Sequence, residues 1–440
     1  MVATVAADPV MFLNGACGYQ LHNCILELEE TLMFTKTKII LLWLAVVLFL
    51  TGCGGNMWQN GKKAKVVTSR SEVLLSHETP NNIVLMLPLK GEFAANSQAI
   101  RNGFLAAYYN SRKQRPEISI KVIDTTDDDV QTLYQQAVAD GAEVIVGPLT
   151  KQEVVAVMGM NPLPVPTIAL NTLDDYTHNF APNLYQFGLL PQDEAIQVAV
   201  KMMQEQHNRA AIIVPENSWG NKIATAFKNK YESEGGRVVA TLNYHSALNL
   251  SQQICPFLAQ DPMKLCVPQK RKDKKQNASS ESMRRQDINA IFLVATVAQA
   301  RQIVPLLKFY YAGDLPIYST SAVYTGTPNP ALDQDIDGVY FCDMPWVLKD
   351  PGLFSEDLQA IHKQITTLWA DSLVGYNRFY ALGVDAYNLA LGLNGFLSAP
   401  QSGVNGASGV LYLDDFNHIY RELQWAKMHN GAVVVAPRES

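Results

Sequence analysis

Short apolar runs alternate with longer amphipathic segments along most of this chain, and the alternation starts twice. Residues 82–89 and 210–214 are continuously apolar or nearly so, which is typical of strands buried on both faces of a parallel sheet. Segments with helical periodicity follow each of them, at 91–109 and 219–234. The order restarts after Pro191. The sequence therefore predicts an α/β protein with two lobes, each a mostly parallel sheet flanked by helices.

The segment 33–53 has the organisation of an export signal. Two lysines precede the apolar residues 39–50, and the small residues Thr51 and Gly52 precede Cys53. This order is typical of a secretory signal, and twelve apolar residues are too few for a membrane-spanning helix, which needs about 20. The pattern Leu-x-Gly-Cys resembles a lipobox, which implies cleavage before Cys53 and lipid attachment to it. A signal anchor, or a signal peptide with a chance cysteine, is the alternative.

The residues around this signal suggest how the chain begins. Residues 1–32 fit no export signal, because three glutamates stand just before the basic segment. We expect Met33 to be the true start, residues 1–52 to comprise a doubtful extension plus the signal peptide, and residues 53–80 to form a lipid-anchored tether. Gly54 stands where an aspartate would imply inner-membrane retention. The lipobox therefore implies the outer membrane, on its periplasmic face.

Composition limits the function further. The net charge of −6 and the 17% of charged residues give no case for a nucleic-acid partner. One segment departs from this average: residues 264–285 form an insertion rich in lysine and arginine. It is either a solvated surface insertion or a contact for an acidic partner. Export would place Cys255 and Cys266, eleven residues apart, in an oxidising space, and whether they pair is left open.

The motifs of common enzymes are missing from the sequence. It has no HExxH, no Cys/His cluster at zinc spacing, no G-x-S-x-G and no S-x-x-K, which are the patterns of metal and nucleophile sites. Residues 127–129 are three aspartates, and we interpret them as a solvated loop that starts a helix. We therefore expect no enzyme activity, no catalytic residue, no metal and no cofactor.

Four stretches resemble the type I periplasmic-binding-protein fold: VLMLPLKGEFAANSQAIRNGF, GAEVIVGPLT, VPTIALNT and AIIVPENSWGNKIATAF. The resemblance implies a cleft between two lobes. It places residues 81–188 and 345–405 in lobe 1, and residues 189–344 and 406–430 in lobe 2. Polar groups that follow the strands would face the cleft and hold a ligand's polar end. These candidate cleft residues are Thr150, Asn171, Thr172, Trp219 and Ser321. A plain helix N-cap is the alternative role for Thr150.

The tail GASGVLYLDDFNHIYRELQWAKMHNG is similar to the ending of the LpoA/LppC family of penicillin-binding protein activator lipoproteins, with Arg421, Leu423 and Trp425 where that family has them. The resemblance implies an outer-membrane lipoprotein that activates a class A penicillin-binding protein, of the 1A type, without turning over a substrate. Longer members carry a helical repeat domain before this part, whereas only about 28 residues separate Cys53 from the first strand here. The alternative is a lipid-anchored periplasmic protein that binds an amino-acid-like solute.

Overall fold

The computed structural model describes residues 79–112, 114–174, 181–245, 248–266, 283–349, 355–370 and 375–437. The export signal, Cys53 and nearly all of the tether lie outside these ranges, as does most of the basic insertion. The lipidation of Cys53 therefore stays a prediction. Within the described ranges, no helix is long and apolar enough to cross a membrane.

The first sheet has five parallel strands in the order β2-β1-β3-β4-β5. Its strands are β1 Asn82–Leu87, β2 Ser119–Asp124, β3 Val144–Val146, β4 Thr167–Ala169 and β5 Leu184–Gln186. Three helices alternate with them: α1 Ala94–Ser111, α2 Val130–Ala139 and α3 Lys151–Met158. Successive side chains of a strand point to opposite faces. Leu85 and Leu87 thus enter one buried cluster while Val84 and Met86 enter another, which explains why this run is apolar throughout.

The second sheet has seven strands in the order β15-β14-β10-β9-β8-β6-β7. Five are parallel to one another: β6 Arg209–Pro215, β7 Arg237–Tyr244, β8 Ala290–Leu293, β9 Ile317–Ser319 and β10 Val339–Asp343. Two from the tail add in antiparallel fashion: β14 Gln424–His429 and β15 Ala432–Val435. The helices between are α4 Pro191–Gln204, α5 Ser218–Ser233, α6 Leu250–Leu258, α7 Pro262–Leu265, α8 Val297–Phe309 and α9 Pro330–Asp333. The expected architecture of two mostly parallel sheets with flanking helices is confirmed.

The chain then returns to the first sheet through α10 Pro345–Leu348, α11 Glu356–Leu368 and α12 Asn377–Ser398. Helix α12 packs against α1 at very short range, because glycines face the partner backbone on both sides. A β-carbon at Gly103 would lie 2.2 Å from the carbonyl oxygen of Tyr380, and one at Gly383 would lie 2.0 Å from that of Ile100. Residues far apart in the chain thus complete the first lobe.

A small third sheet follows, made of β11 Val404–Asn405, β12 Val410–Leu413 and β13 Ile419–Glu422. Strands β12 and β13 pair as an antiparallel hairpin, with Asp414 in the turn between them. The GASG sequence before it wraps the fully buried carboxylate of Asp385, which accepts hydrogen bonds from the amides of Ala407 and Ser408, both at 2.7 Å, and from the Ser408 hydroxyl at 2.6 Å. A β-carbon at Gly406 would lie 2.5 Å from that carboxylate, so only glycine fits.

The cysteine question left open by the sequence is settled. Cys255 on α6 and Cys266, just after α7, form a disulfide, with 5.8 Å between their α-carbons. Cys342 is free and buried. At the end of the basic insertion, Arg284 is 4% exposed and pairs with Asp314 at 2.9 Å, so this arginine serves the fold of the lobe.

Candidate functional site

A cavity of about 620 Å³ lies at the carboxyl edge of the first sheet. The loops after β1, β3, β4 and β5 form much of its wall, and α12 and the first turns of α1 and α3 supply the rest. Its apolar lining residues are Phe93, Leu149, Leu170, Leu189, Phe379 and Leu382. Its polar lining residues are Glu92, Asn96, Thr150, Lys151, Gln152 and Asn171. The carboxyl edge of a parallel sheet is where such folds commonly bind ligands.

Thr150 lines this cavity but also caps α3. Its hydroxyl accepts from the Glu153 amide at 3.2 Å and donates to the Glu153 carboxylate at 2.8 Å, while the Thr150 amide donates to the same carboxylate at 3.0 Å. This is a capping box, in which side chain and backbone satisfy each other. The hydroxyl group of Thr150 is therefore engaged within the protein.

Asn171 also lines the cavity, and its amide is likewise engaged. Its side-chain nitrogen donates to the Leu149 carbonyl at 2.9 Å, and its side-chain oxygen accepts from the Thr172 amide at 2.9 Å. Thr172 itself is fully buried, behind the cavity wall. Asn171 thus ties the loop after β4 to the loop after β3.

The other two candidate cleft residues lie elsewhere. Trp219, in the first turn of α5, is half-buried and packs against the main core cluster. Ser321 is buried, and its amide and hydroxyl donate to the carboxylate of Glu194 at 2.8 and 3.0 Å. Neither side chain lines the cavity, so the structure brings together only Thr150 and Asn171.

Sequence reasoning missed a buried charge cluster where the lobes join. Arg378, at the start of α12, pairs with Asp343 of β10 at 2.5 Å and donates to the carbonyls of Ser321 and Tyr324, each at 3.0 Å. Burial raises the pKa of Glu194, and the nearby Arg421 guanidinium opposes that rise. These are the contacts that fix α12 of the first lobe against the second sheet.

Two charged residues of α12 stand out in the sequence: Arg378 of this cluster, and Asp385, which the GASG sequence wraps. Residues 376–393 are apolar or small over most of their length, and Arg378 and Asp385 are the two charged side chains among them. A charge in such a helix is buried only with a partner. That signal could have marked both residues, although not the residues that pair with them.

A second, exposed link crosses between the lobes. Asp174, after β4, pairs with Lys151 of α3 at 2.5 Å and with Lys222 of α5 at 2.7 Å. These hydrogen-bonded lysines hold the pKa of Asp174 below its usual range. Lys151 is also part of the cavity wall, so this ion pair stands beside the cavity.

In the part of the chain that the structure describes, no group of three or more His, Cys, Asp or Glu side chains is arranged to hold an ion. Asp129 accepts from the Thr132 amide at 2.9 Å and caps α2, and Asp127 pairs with Lys90 at 2.7 Å. The aspartate run therefore starts a helix, as the sequence interpretation had it.

Two sheet-based lobes with a cavity at a carboxyl strand edge define a protein of periplasmic-binding-protein-like fold. The structure resembles the LpoA (YraM) C-domain from Haemophilus influenzae, a regulator of PBP1A, with a TM-score of 0.62 and 25% identity over 81% of this chain and 100% of that one. A structure from Chromobacterium violaceum, described as a branched-chain amino acid ABC transporter, superposes with a TM-score of 0.59 and 26% identity over 79% of this chain and 99% of that one.

The family is shown by the sequence match. The model of the family described as "LppC putative lipoprotein" matches residues 70–431, and the chain belongs to this family. The penicillin-binding protein activator LpoA of Vibrio antiquarius is 28% identical over 79% of this chain, and that of Vibrio vulnificus is 26% identical over 79%. The chain spans 57% of the length of each of these relatives.

Proposed function

We propose that this chain is an outer-membrane lipoprotein that activates a class A penicillin-binding protein of the 1A type, and so regulates peptidoglycan synthesis. The observation that carries the proposal is the family match over residues 70–431, together with relatives named as penicillin-binding protein activators. The missing catalytic motifs agree with action through contact and without turnover. The division into lobes that the sequence predicts, with residues 81–188 and 345–405 in lobe 1 and residues 189–344 and 406–430 in lobe 2, stays a prediction and belongs to this proposal.

The test is an assay of glycan polymerisation and peptide cross-linking by the purified cognate class A synthase. The chain starting after Cys53 is added over a range of concentrations, and direct binding is measured in parallel. We expect both binding and a faster synthase or transpeptidase rate. A class A synthase from an organism without this family is the matched control. Absence of binding and of any rate change with the cognate enzyme would refute the proposal.

The membrane anchor has its own test. Cys53→Ala removes the thiol that would carry the lipid, and we expect the protein to move from the outer-membrane fraction to the soluble or inner-membrane fraction. Several acyl chains bind a membrane far more tightly than one, since each buried methylene adds about 0.8 kcal/mol. Recovery of the variant as an acylated outer-membrane protein would rule out Cys53 as the anchor.

One observation favours the alternative of a solute-binding lipoprotein, namely the cavity of about 620 Å³, which is of the size that small ligands occupy. A ligand that binds only the folded state raises the unfolding temperature. A thermal-shift screen of amino acids and dipeptides therefore tests this alternative. A shift without any synthase binding would favour it over the activator.

A further inference from the structure

The cavity at the carboxyl edge of the first sheet opens to solvent beside an exposed aromatic side chain. At the edge of the cavity, Phe93 is 40% exposed, whereas Leu170 and Leu382 are buried in the cavity wall. An apolar recess with an exposed aromatic rim is a common feature of protein docking sites. We call this feature the Phe93 groove.

Loop 88–93, which lines the Phe93 groove, and loop 124–129, which pairs with it through Lys90, are together strongly acidic. The loops 88–93 and 124–129 together contain five carboxylates and one lysine. That lysine, Lys90, lies 2.7 Å from the Asp127 carboxylate and 3.3 Å from that of Asp124, so its charge is largely matched. Glu92 lines the groove and Asp128 is exposed in the neighbouring loop. The surface around the groove therefore favours a positively charged partner.

The polar groups of the groove suit a free amino acid poorly. A free amino acid brings a carboxylate as well as an ammonium group, and its carboxylate needs hydrogen-bond donors. The Thr150 hydroxyl and the Asn171 amide already bond to Glu153 and to Leu149, and Lys151 shares Asp174 with Lys222. The other side-chain donors of the lining are the neutral amides of Asn96 and Gln152. The acidic loops would also repel a carboxylate. An apolar side chain of a polypeptide brings no carboxylate into the groove. A lysine or arginine next to it in that polypeptide would be attracted by the acidic loops.

We infer that the Phe93 groove is the docking site for an extended segment of the penicillin-binding protein, with an apolar side chain in the cavity and a basic residue next to it. This inference rests on the proposed function, which supplies the partner. The apolar side chain covers Phe93 and the leucines of the cavity wall. The neighbouring basic residue faces Glu92 and Asp128.

The site of contact is tested by photo-crosslinking with the full-length acylated chain in detergent and the purified cognate synthase. One variant carries the photoreactive residue p-benzoylphenylalanine (Bpa) in the groove, Phe93→Bpa. The matched control is Phe309→Bpa, at the end of α8, where the native phenylalanine is 70% exposed. We expect Phe93→Bpa to capture the synthase, and mass spectrometry to map the capture to a segment with lysine or arginine near an apolar residue.

The chemistry of the contact is tested by affinity. Phe93→Ala should weaken synthase binding roughly tenfold, as truncation of an aromatic anchor does. The pair Glu92→Gln and Asp128→Asn should weaken binding by roughly three- to tenfold at low salt, mainly through slower association. That difference should disappear at high salt, because exposed charges are then screened. Circular dichroism verifies that each variant is folded.

The outcomes separate this inference from the proposed function. Capture by Phe309→Bpa but not by Phe93→Bpa, or unchanged affinity of the groove variants, overturns the docking site while the activator function stands. Capture of a segment without basic residues, or displacement of the crosslink by millimolar L-leucine, overturns the stated occupant. Failure of the unaltered chain to bind the synthase defeats the proposed function and this inference with it.

Discussion

At the scale of single residues, Arg378 joins the lobes through a buried ion pair with Asp343. The Arg378 side chain is 23% exposed and that of its partner Asp343 is fully buried. Arg378→Met would leave that carboxylate without a cation, and loss of one member of a buried pair costs about 3–5 kcal/mol. We expect a fall of that size in the free energy of unfolding, measured by urea denaturation.

A control and a rescue make this prediction specific. Arg112→Met, at the exposed end of α1, should change stability by no more than about 0.5 kcal/mol. Adding Asp343→Leu to Arg378→Met removes the stranded charge and should restore much of the loss. Equal effects of Arg112→Met and Arg378→Met would show that the ion pair has no special role.

His418 of the hairpin gives the protein a pH dependence. Burial disfavours the charged ring, but Asp193 and Asp414, at 3.4 and 3.6 Å, outweigh burial and raise its pKa to about 9. The protonated His418 ring stabilises the fold fully at pH values below its pKa in the unfolded chain, about 6.5. This stabilisation is lost as the pH rises through its pKa in the folded protein. We expect the free energy of unfolding to fall by roughly 3 kcal/mol between about pH 6.5 and 9.

The measurement is urea unfolding across that pH range. His418→Gln should flatten the decline, while His429→Gln, at an exposed position, should keep it. A decline that persists unchanged in His418→Gln would assign the pH dependence to other groups.

The candidate cleft residues show how much of the location of a single side chain could be predicted from the sequence. Thr150 and Asn171 follow strands, and a position after a parallel strand predicts an edge location, which both have. Thr172 and Ser321 also follow strands, yet both are buried and Ser321 bonds to Glu194. Whether such a side chain turns to the cleft or to the interior depends on contacts with distant residues, which the local sequence does not specify.

At the scale of elements, the contact between α1 and α12 depends on the absence of side chains. Gly103→Ala would place its new carbon 2.2 Å from the Tyr380 carbonyl oxygen, so the helices must move apart. Overpacking of this kind costs about 1–3 kcal/mol, measured as a lowered free energy of unfolding. Gly313→Ala is the matched control, because its nearest neighbour would be 3.6 Å away. If both variants were equally stable, the helices would not be in such close contact.

The disulfide staples α6 to the end of α7. Closing a loop of this length stabilises a protein by about 2–3 kcal/mol in the chain-entropy account. In urea denaturation, the double variant Cys255→Ser, Cys266→Ser should have a free energy of unfolding lower by that amount. A reducing agent should lower the free energy of unfolding of the parent protein equally. If the reducing agent did not change the stability of the parent protein, and the double variant were as stable as the parent, the disulfide in the structure would be contradicted.

The longer elements could be predicted from the sequence, and several short ones could not. Apolar runs and helical periodicity located the strands at 82–89 and 210–214 and the helices at 91–109 and 219–234 to within a few residues. The strand Leu184–Gln186 reads LYQ and lacks a continuous apolar run, unlike the equally short VIV of β3. Helix Leu250–Leu258 contains Pro256, and proline counts against a helix unless tertiary packing compensates.

At the scale of the whole molecule, the Lys151–Asp174–Lys222 link spans the lobes. Its side chains are 42–50% exposed, and exposed ion pairs contribute about 0–1 kcal/mol. Asp174→Asn should therefore leave the free energy of unfolding nearly unchanged while the lobes separate more often. Spin labels on Gln152→Cys and Asn221→Cys, one on each side of the link, should show a broader and longer distance distribution.

Asp140→Asn provides the comparison, since it removes the Lys121–Asp140 pair from within the first lobe alone. It should leave the distance distribution as it was. An unchanged distribution in Asp174→Asn would mean that the link does not hold the lobes together.

The order in which the chain is made has a consequence for how it matures. Helix α12 covers α1, yet about 270 residues separate the end of one from the start of the other. At about 5–20 residues per second of synthesis, the ribosome needs roughly 15–50 seconds to bridge that interval. During this time the glycine-bearing face of α1 lacks its packing partner α12, and the first lobe stays incomplete. Newly made chains of this protein should therefore depend on a chaperone until α12, Asn377–Ser398, is available to pack on α1.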